Sequence, residues 1–383
     1  MGFLKKLFAF ILLVAVTYSC STPFILKNVR LDNDGIYTYG KNENRNFYFD
    51  VAISEKLELK WSASTNGSQP NTSVLILNSY VVVSDLSGRI YAFDRENGKL
   101  IGYEKYSGAI STAPIINSLR IYFVLNEKLE PYSNFKMFDF VNNKILAEDK
   151  INGAVTNEML RLDEGIVVLT DRGELIKYNY VGYREYTVNL KTSTYCNPAA
   201  NEKFIAFGTI KGELVILNRK DGTVYYKEKI AGPIESGFTF DNHLIYFGDS
   251  NGVLYAFDSD SKKIIWQFNT GAKIVATPVY DNSKIIVGNL SGRIVAVDKK
   301  NGSKIWIHNT KGIFNTTPLL TKTFLVQPDF NKKVYLINAS IGVIADTLEF
   351  DRRVKLTPVI NDGILFLGAD RGQINAYQTF EVK

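Results

Sequence analysis

The stretch 86-LSGRIYAFDRENGKL-100 returns, lightly edited, as 290-LSGRIVAVDKKNGSKI-305. Over the thirteen positions from Leu86 to Gly98, nine residues are identical. The phrase has a physical grammar. Gly88 opens it, apolar residues follow at Ile90, Tyr91, Ala92 and Phe93, then comes Asp94, and Asn97-Gly98 closes it. β-branched and aromatic residues in such a run form a strand. An Asp can bond its own backbone two residues on, and Asn-Gly supplies the positive φ of a tight reversal. The phrase therefore reads as strand, hairpin turn and the start of the next strand.

With that Asp as a register mark, the pattern recurs at Asp94, Asp139, Asn179, Asn218, Asp258, Asp298, Asn338 and Gln378. The intervals are 45, 40, 39, 40, 40, 40 and 40 residues. Six residues before the mark stands a glycine in six copies: Gly88, Gly173, Gly212, Gly252, Gly292 and Gly372. Ser133 and Lys332 replace it in the others. A prolyl turn ahead of each first strand is read at Pro114, Pro198, Pro233, Pro278, Pro318 and Pro358, the last three after Thr. Four short strands per forty residues, with no helical period, predict a propeller blade. A single blade cannot bury both faces, so blades must stack around a shared axis. The fold predicted is all-β: eight four-stranded antiparallel blades.

The chain ends settle how the ring closes. Trp266 and Trp306 each lie eight residues after their mark, on the fourth strand. The same step from Gln378 falls at 386, beyond Lys383. Trp61, in 57-LELKWSA-63, stands eight residues after position 53, one period (41 residues) before Asp94. The N-terminal strand is thus expected to complete the eighth blade. Residues 56–383 form the propeller in this reading, with 126-NEKLEPYSN-134 as extra loop in the 45-residue interval. Residues 20–55 are read as a tether and extension: 21-STPFILKNVR-30 as tether, and 46-NFYFDVAI-53 as an additional strand without a place.

The first nineteen residues read as an export signal. A basic start (Lys5, Lys6) precedes the apolar run Leu7 to Val16, which ends at 17-TYSC-20. Ten residues of helix rise only about 15 Å, too short to span a bilayer core. A small residue followed by Cys is what a bacterial lipoprotein cleavage site requires, so Cys20 is the expected lipidation site, with ordinary secretion and a retained anchor as the alternatives. Acyl chains there would hold the protein to a membrane without a spanning helix. Ser21, in place of Asp, agrees with sorting to the outer membrane. Cys196 is then unpaired and reads as a small buried hydrophobe.

Composition narrows function further. With 45% hydrophobic and 13% aromatic residues the chain has ample core. Lys and Arg number 45 against 39 Asp and Glu, too even a balance for a nucleic-acid binder. The two histidines, His243 and His308, stand at unrelated steps of the repeat, and a metal site needs converging ligands. Phosphate-loop and nucleophile-elbow motifs are not found. The recurrent Asp residues are turn caps, and the tryptophans follow the blade period as packing residues. No catalytic residue, cofactor or metal is assigned.

The G-x-[IVL]-x-[AI]-[FVL]-[DN] phrase, the D-x-x-[ND]-G turn and the Trp eight residues past the Asp resemble the repeat of pyrroloquinoline-quinone-type propellers. The resemblance covers about 57–383. One branch, the quinone dehydrogenases, holds cofactor and Ca²⁺ on the axis, typically with a vicinal cysteine disulfide, on much longer chains; this sequence has no Cys-Cys pair. The other branch is the BamB family of lipoproteins, similar in length, lipobox, eight blades and terminal closure. That resemblance implies a non-catalytic scaffold on the periplasmic face of the outer membrane, within the β-barrel assembly (BAM) complex. The implied partners are the BamA POTRA domain, other BAM subunits and unfolded outer-membrane proteins, with the membrane reached through the lipid anchor. A Leu-x-Leu-Arg-like segment of that family matches 188-VNLK-191 imperfectly, giving Val188, Leu190 and Lys191 as candidate partner-binding residues. Of the acidic pair that the family presents before the next blade, only Glu235 is found. A second class stays open, a periplasmic or surface propeller that binds polysaccharide or a cell-wall protein. A quinone-dependent oxidoreductase is the third.

Overall fold

Seven of the eight register marks end or follow the third strand of a four-stranded antiparallel sheet; the eighth, Gln378, lies within Gln373–Glu381. In blade 1 the strands are Leu75–Leu77, Tyr80–Ser84, Arg89–Asp94 and Leu100–Lys105. The computed structural model, which describes residues 23–27 and 29–381, repeats this unit eight times. Strands predominate and no helix occurs among the described residues. The mark residues cap the hairpins as their chemistry requires. Asp94 Oδ1 accepts the Glu96 and Asn97 amides at 2.9 and 3.0 Å, and Asn338 Oδ1 those of Ser340 and Ile341. The extra residues of the long second interval lie at 127–131, between Arg120–Asn126 and Tyr132–Asp139. Pro114, Pro198, Pro278, Pro318 and Pro358 each stand just ahead of an innermost strand. Pro233 does not: Phe238 occupies that step, and Pro233 lies five residues earlier in the preceding loop.

All six repeat glycines have φ between 78° and 83°. At Gly212 the need is doubled, because a Cβ would stand 2.1 Å from the Ala231 carbonyl oxygen. Lys332 adopts the same turn at φ 69°, strained for a side chain with a Cβ. Ser133 is not in this conformation, because the 127–131 loop replaces the tight turn of its blade.

The ring closes as the tryptophan spacing predicts. Strand β2 (Ile53–Ser64) pairs antiparallel with Gln373–Glu381 as the outermost strand of blade 8, and Trp61 faces Ala376. Trp61 then docks on blade 1: its Nε1 donates to the Arg95 carbonyl at 2.8 Å and its ring covers Gly98. Trp266 makes the same contact with Lys299 and Gly302, and Trp306 with Ala339 and Gly342. Each indole therefore joins one blade to the hairpin of the next, and Trp61 carries that joint across the seam.

Between residue 31 and β2 the chain does something the sequence did not announce. It enters the ring at blade 1 and winds around the inside of the axis. The Ile76, Ile116, Ala200, Phe240, Tyr280 and Leu320 amides, equivalent residues of six innermost strands, donate to the carbonyls of Ile36, Tyr37, Glu43, Asn44, Asn46 and Phe47 at 2.8–3.4 Å. In blade 3 the Arg45 guanidinium donates to the Glu158 and Met159 carbonyls, and in blade 8 Asn361 Nδ2 donates to the Asp34 carbonyl. All eight blades thus bond to one segment. Strand β1 (Tyr48–Phe49), the extra strand, runs parallel to Leu319–Thr321 on the axial side of blade 7.

This corrects the tether reading of residues 21–30 in the part described. Phe24 and Leu26 are buried, Phe24 packs edge-on against Phe138, and the Leu26 amide donates to the Phe140 carbonyl. Two large apolar side chains find a groove between blades 1 and 2, and burial favours the docked chain by about 1.5–3 kcal/mol for each. The boundary at 55/56 also cuts through β2, which starts at Ile53. The signal segment and Cys20 lie outside the described residues.

Candidate functional site

Two ends of the disc differ in what they carry. One bears the hairpins between first and second and between third and fourth strands; we call it the turn face. The other bears the second–third hairpins and the crossover loops that lead from one blade to the next. There, loops of seven blades converge on the axis and leave a funnel of about 500 Å³.

Tyr39, from the axial segment, floors the funnel. Its hydroxyl donates to Thr317 Oγ1 at 3.2 Å and lies 3.3 Å from Thr357 Oγ1. These threonines, with Thr277, are the residues ahead of the repeated prolines. The sequence therefore held a signal for the funnel at forty-residue spacing, read there only as turn chemistry. The walls add Asn71, Asn157, Asn197 and Asn315, the rings of Tyr195 and Phe330, and the ion pair Lys273–Glu235 at 2.7 Å.

Below the floor lies a buried charged pair of elements. Arg45 is fully buried with its guanidinium 5.3 Å from the Tyr39 ring centroid. Burial lowers its pKa to about 10, opposed by the charge of Glu158, so it stays cationic at neutral pH. Glu158, also buried, accepts the Ala113 amide at 2.8 Å. Burial pushes its carboxyl up to about 7, against the opposing influence of Arg45.

The resemblance-derived residues lie near the funnel rim of blade 3. Val188 is the penultimate residue of its outermost strand, Arg184–Asn189, and is half-buried against the Gly222 hairpin of the next blade. Leu190 is half-buried too, its amide donating to the Gly173 carbonyl. Lys191 is exposed at φ 52°. The loop then runs to the half-exposed Tyr195 and is joined to blade 4 by the Ile210 amide, which donates to the Ser193 carbonyl. Exposed Ile210 and Lys211 continue this strip toward Glu235. Val188 thus serves chiefly packing, while Leu190, Lys191 and Glu235 share one face. Cys196 is buried and free, its thiol pushed up to about 12 by burial, which keeps it unreactive. His243 is exposed, 4.0 Å from Asp258.

Eight blades closed by a terminal strand, with the Gly–Asp–Trp repeat, define the class of pyrroloquinoline-quinone-like propellers. The profile of one family in that class, described as outer membrane protein assembly factor BamB, matches residues 182–379, and the chain belongs to it. BamB from Moraxella catarrhalis superposes with a TM-score of 0.72 at 14% identity, spanning 84% of this chain and all (100%) of that one. The computationally designed Ika8 protein gives 0.72 at 12% identity, over 84% of this chain and 99% of its own. A quinohemoprotein alcohol dehydrogenase from Pseudomonas putida HK5 gives 0.76 at 10% identity, over 95% of this chain and 83% of that one. At such identities these likenesses show the fold alone. A search of curated proteins finds no significant match.

The residues present do not fit a quinone–calcium centre. A Ca²⁺ ion takes about six to eight oxygens, carboxylates among them. Glu235 is the one carboxylate in the funnel lining, and it is held by Lys273. Among the described residues no group of three or more His, Cys, Asp or Glu converges as a metal site. The axis itself is filled by residues 34–51.

Proposed function

We propose that this chain is a non-catalytic scaffold lipoprotein of the β-barrel assembly machinery. In this reading acyl chains on Cys20 hold it at the periplasmic face of the outer membrane. The funnel-face strip of Leu190, Lys191, Tyr195, Ile210 and Glu235 receives the POTRA domain of BamA, and through it the other subunits and unfolded barrel proteins. The observation that carries this reading is the filled axis within a chain of the BamB family. An axis occupied from blade 1 to blade 8 by the chain's own backbone leaves loop surfaces as the means of action. Loop surfaces on a rigid ring suit recruitment of a folded partner.

The test is a crosslinking pulldown from native membranes with a Cys20→Ala control. Enrichment of BamA that falls in the control, and falls again in Leu190→Asp/Lys191→Glu, is the expected result. Enrichment of glycan-processing proteins without BamA contradicts it.

One observation favours the second class. Amides and hydroxyls around the rings of Tyr195 and Phe330 suit a neutral polyhydroxylated ligand, so polysaccharide binding at the funnel is the alternative. Calorimetry with cell-wall oligosaccharides separates the two.

A further inference from the structure

The described chain starts in the groove between blades 1 and 2, where the Phe24 amide donates to Glu104 Oε1 at 3.4 Å, and reaches the turn face at the hairpins of those two blades. Residues 23–27 and 29–31 follow this groove. The Leu26 amide bonds the Phe140 carbonyl in the third–fourth hairpin of blade 2, Tyr80 Oη donates to the Lys27 carbonyl, and the Arg30 amide donates to Asn78 Oδ1 in the first hairpin of blade 1. Only Ser21 and Thr22 separate Cys20 from Pro23. Three residue steps span at most about 10 Å. If Cys20 is acylated, the start of this groove is held within about 10 Å of the bilayer, with the turn-face hairpins of blades 1 and 2 bordering it.

The rim's side chains match that position. Leu119 (44% exposed) stands in the first hairpin of blade 2 and Val141 (40%) in its other hairpin. Ile25, Leu31, Leu100 and Leu146 are exposed around them. The patch continues into blade 3, where Gly182 lies against Ala147 and exposes Val181 and Tyr183 on either side. Apolar side chains at adjacent hairpin tips have no packing role in their own blades.

Four exposed cations, Lys27, Arg30, Lys99 and Lys144, are interspersed, and none makes an ion pair among the described residues. Most acids nearby are committed to local bonds, while Asp163, in the first hairpin of blade 3, is exposed and makes no ion pair among the described residues. Asp32 receives Tyr37 Oη and Asn78 Nδ2, Asp139 caps its hairpin, and Glu96 pairs with Lys60. Asp34 is exposed beside them. Apolar tips with unpaired cations are the makeup of an interfacial surface on anionic lipid.

We propose that the turn-face rim of blades 1 to 3 is a second membrane attachment, lying on the anionic lipid surface that holds the acyl chains of Cys20. It rests on the anchor reading above and goes beyond it by fixing orientation. The hairpins of blades 1 to 3 meet lipid, and the funnel, with Leu190, Lys191 and Glu235, faces away. The acyl chains hold the protein at the membrane, and a patch of this kind fixes which part of the disc is turned toward it.

The test uses full-length protein purified from membranes and reconstituted into phosphatidylethanolamine–phosphatidylglycerol vesicles containing doxyl-labelled lipid. An environment-sensitive fluorophore is placed on Val141→Cys, Leu119→Cys or, on the funnel rim, Tyr195→Cys. Cys196 is buried and takes no label under native conditions. Mass spectrometry of the same samples reads acylation of Cys20. Expected are a blue shift and quenching at positions 141 and 119 with neither at 195. Acylated protein with unquenched 141 and 119 overturns the orientation while leaving the anchor intact. Quenching at 195 overturns it as well. Unacylated protein unquenched at all three positions overturns the anchor reading and this proposal together.

Discussion

Arg45 and Glu158 show how a single position acts through the whole ring. They meet on the axis although 113 residues separate them, and neither belongs to the repeat. Burial raises the Glu158 carboxyl to about 7, so the folded state holds a proton that the unfolded chain gives up at its ordinary value of 4.5. Stability from this group is therefore fully present below about 4.5 and is lost as pH rises through about 7. Glu158→Gln should remove that loss. Urea midpoints of the variant and the native chain are expected to diverge, in the variant's favour, between pH 4.5 and 7. Parallel curves across that window would contradict the protonated carboxyl. Lys332 offers a separate test, since it occupies a glycine conformation at φ 69°. Lys332→Gly should stabilise by about 0.5–1 kcal/mol, and Gly212→Ala should destabilise by more than 1 kcal/mol, roughly, because backbone blocks the added Cβ. Thermal melts of the two variants measure both.

The interlocking elements divide by how the sequence encodes them. Strands and hairpins were legible, because apolar alternation and the Asp and Gly of each turn are dictated by local geometry that recurs every forty residues. The closing strand was legible for the same reason: Trp61 keeps the spacing of Trp266 and Trp306. Trp61→Ala should then cost about 3–5 kcal/mol, as for any large buried aromatic. It should cost at least as much as Trp266→Ala, because Trp61 also joins the two chain ends. A chemical-denaturation series with both variants compares them directly. The axial segment was not legible. Its bonds to seven of the eight blades are made by backbone carbonyls, which carry no side-chain signature, and the innermost strands reveal nothing of the amides they point at the axis. The funnel was half legible: Thr277, Thr317 and Thr357 keep the period, whereas Tyr39 beneath them comes from the segment that has none. Leu190 and Lys191 are proposed from resemblance alone, and their place on one strip with Ile210 becomes visible only in the folded chain.

At the scale of the molecule, the axial segment makes the propeller one cooperative unit. Six amides that would otherwise lack strand partners are paired by it, each bond contributing about 0.5–1.5 kcal/mol. A chain beginning at Ala52 keeps β2 but lacks this segment. It should melt well below the full chain, and a peptide of residues 30–51 added in trans should raise its midpoint. An unchanged midpoint would show the axis to be passive. A filled axis and a closed ring leave the two faces as the surfaces to which the proposals above assign lipid and partner. The most direct test of that division is photocrosslinking in native membranes from a benzophenone residue placed at Lys191. The account predicts an adduct with BamA from Lys191 and none from the same residue placed at Val141. An adduct from Val141, with none from Lys191, would contradict it.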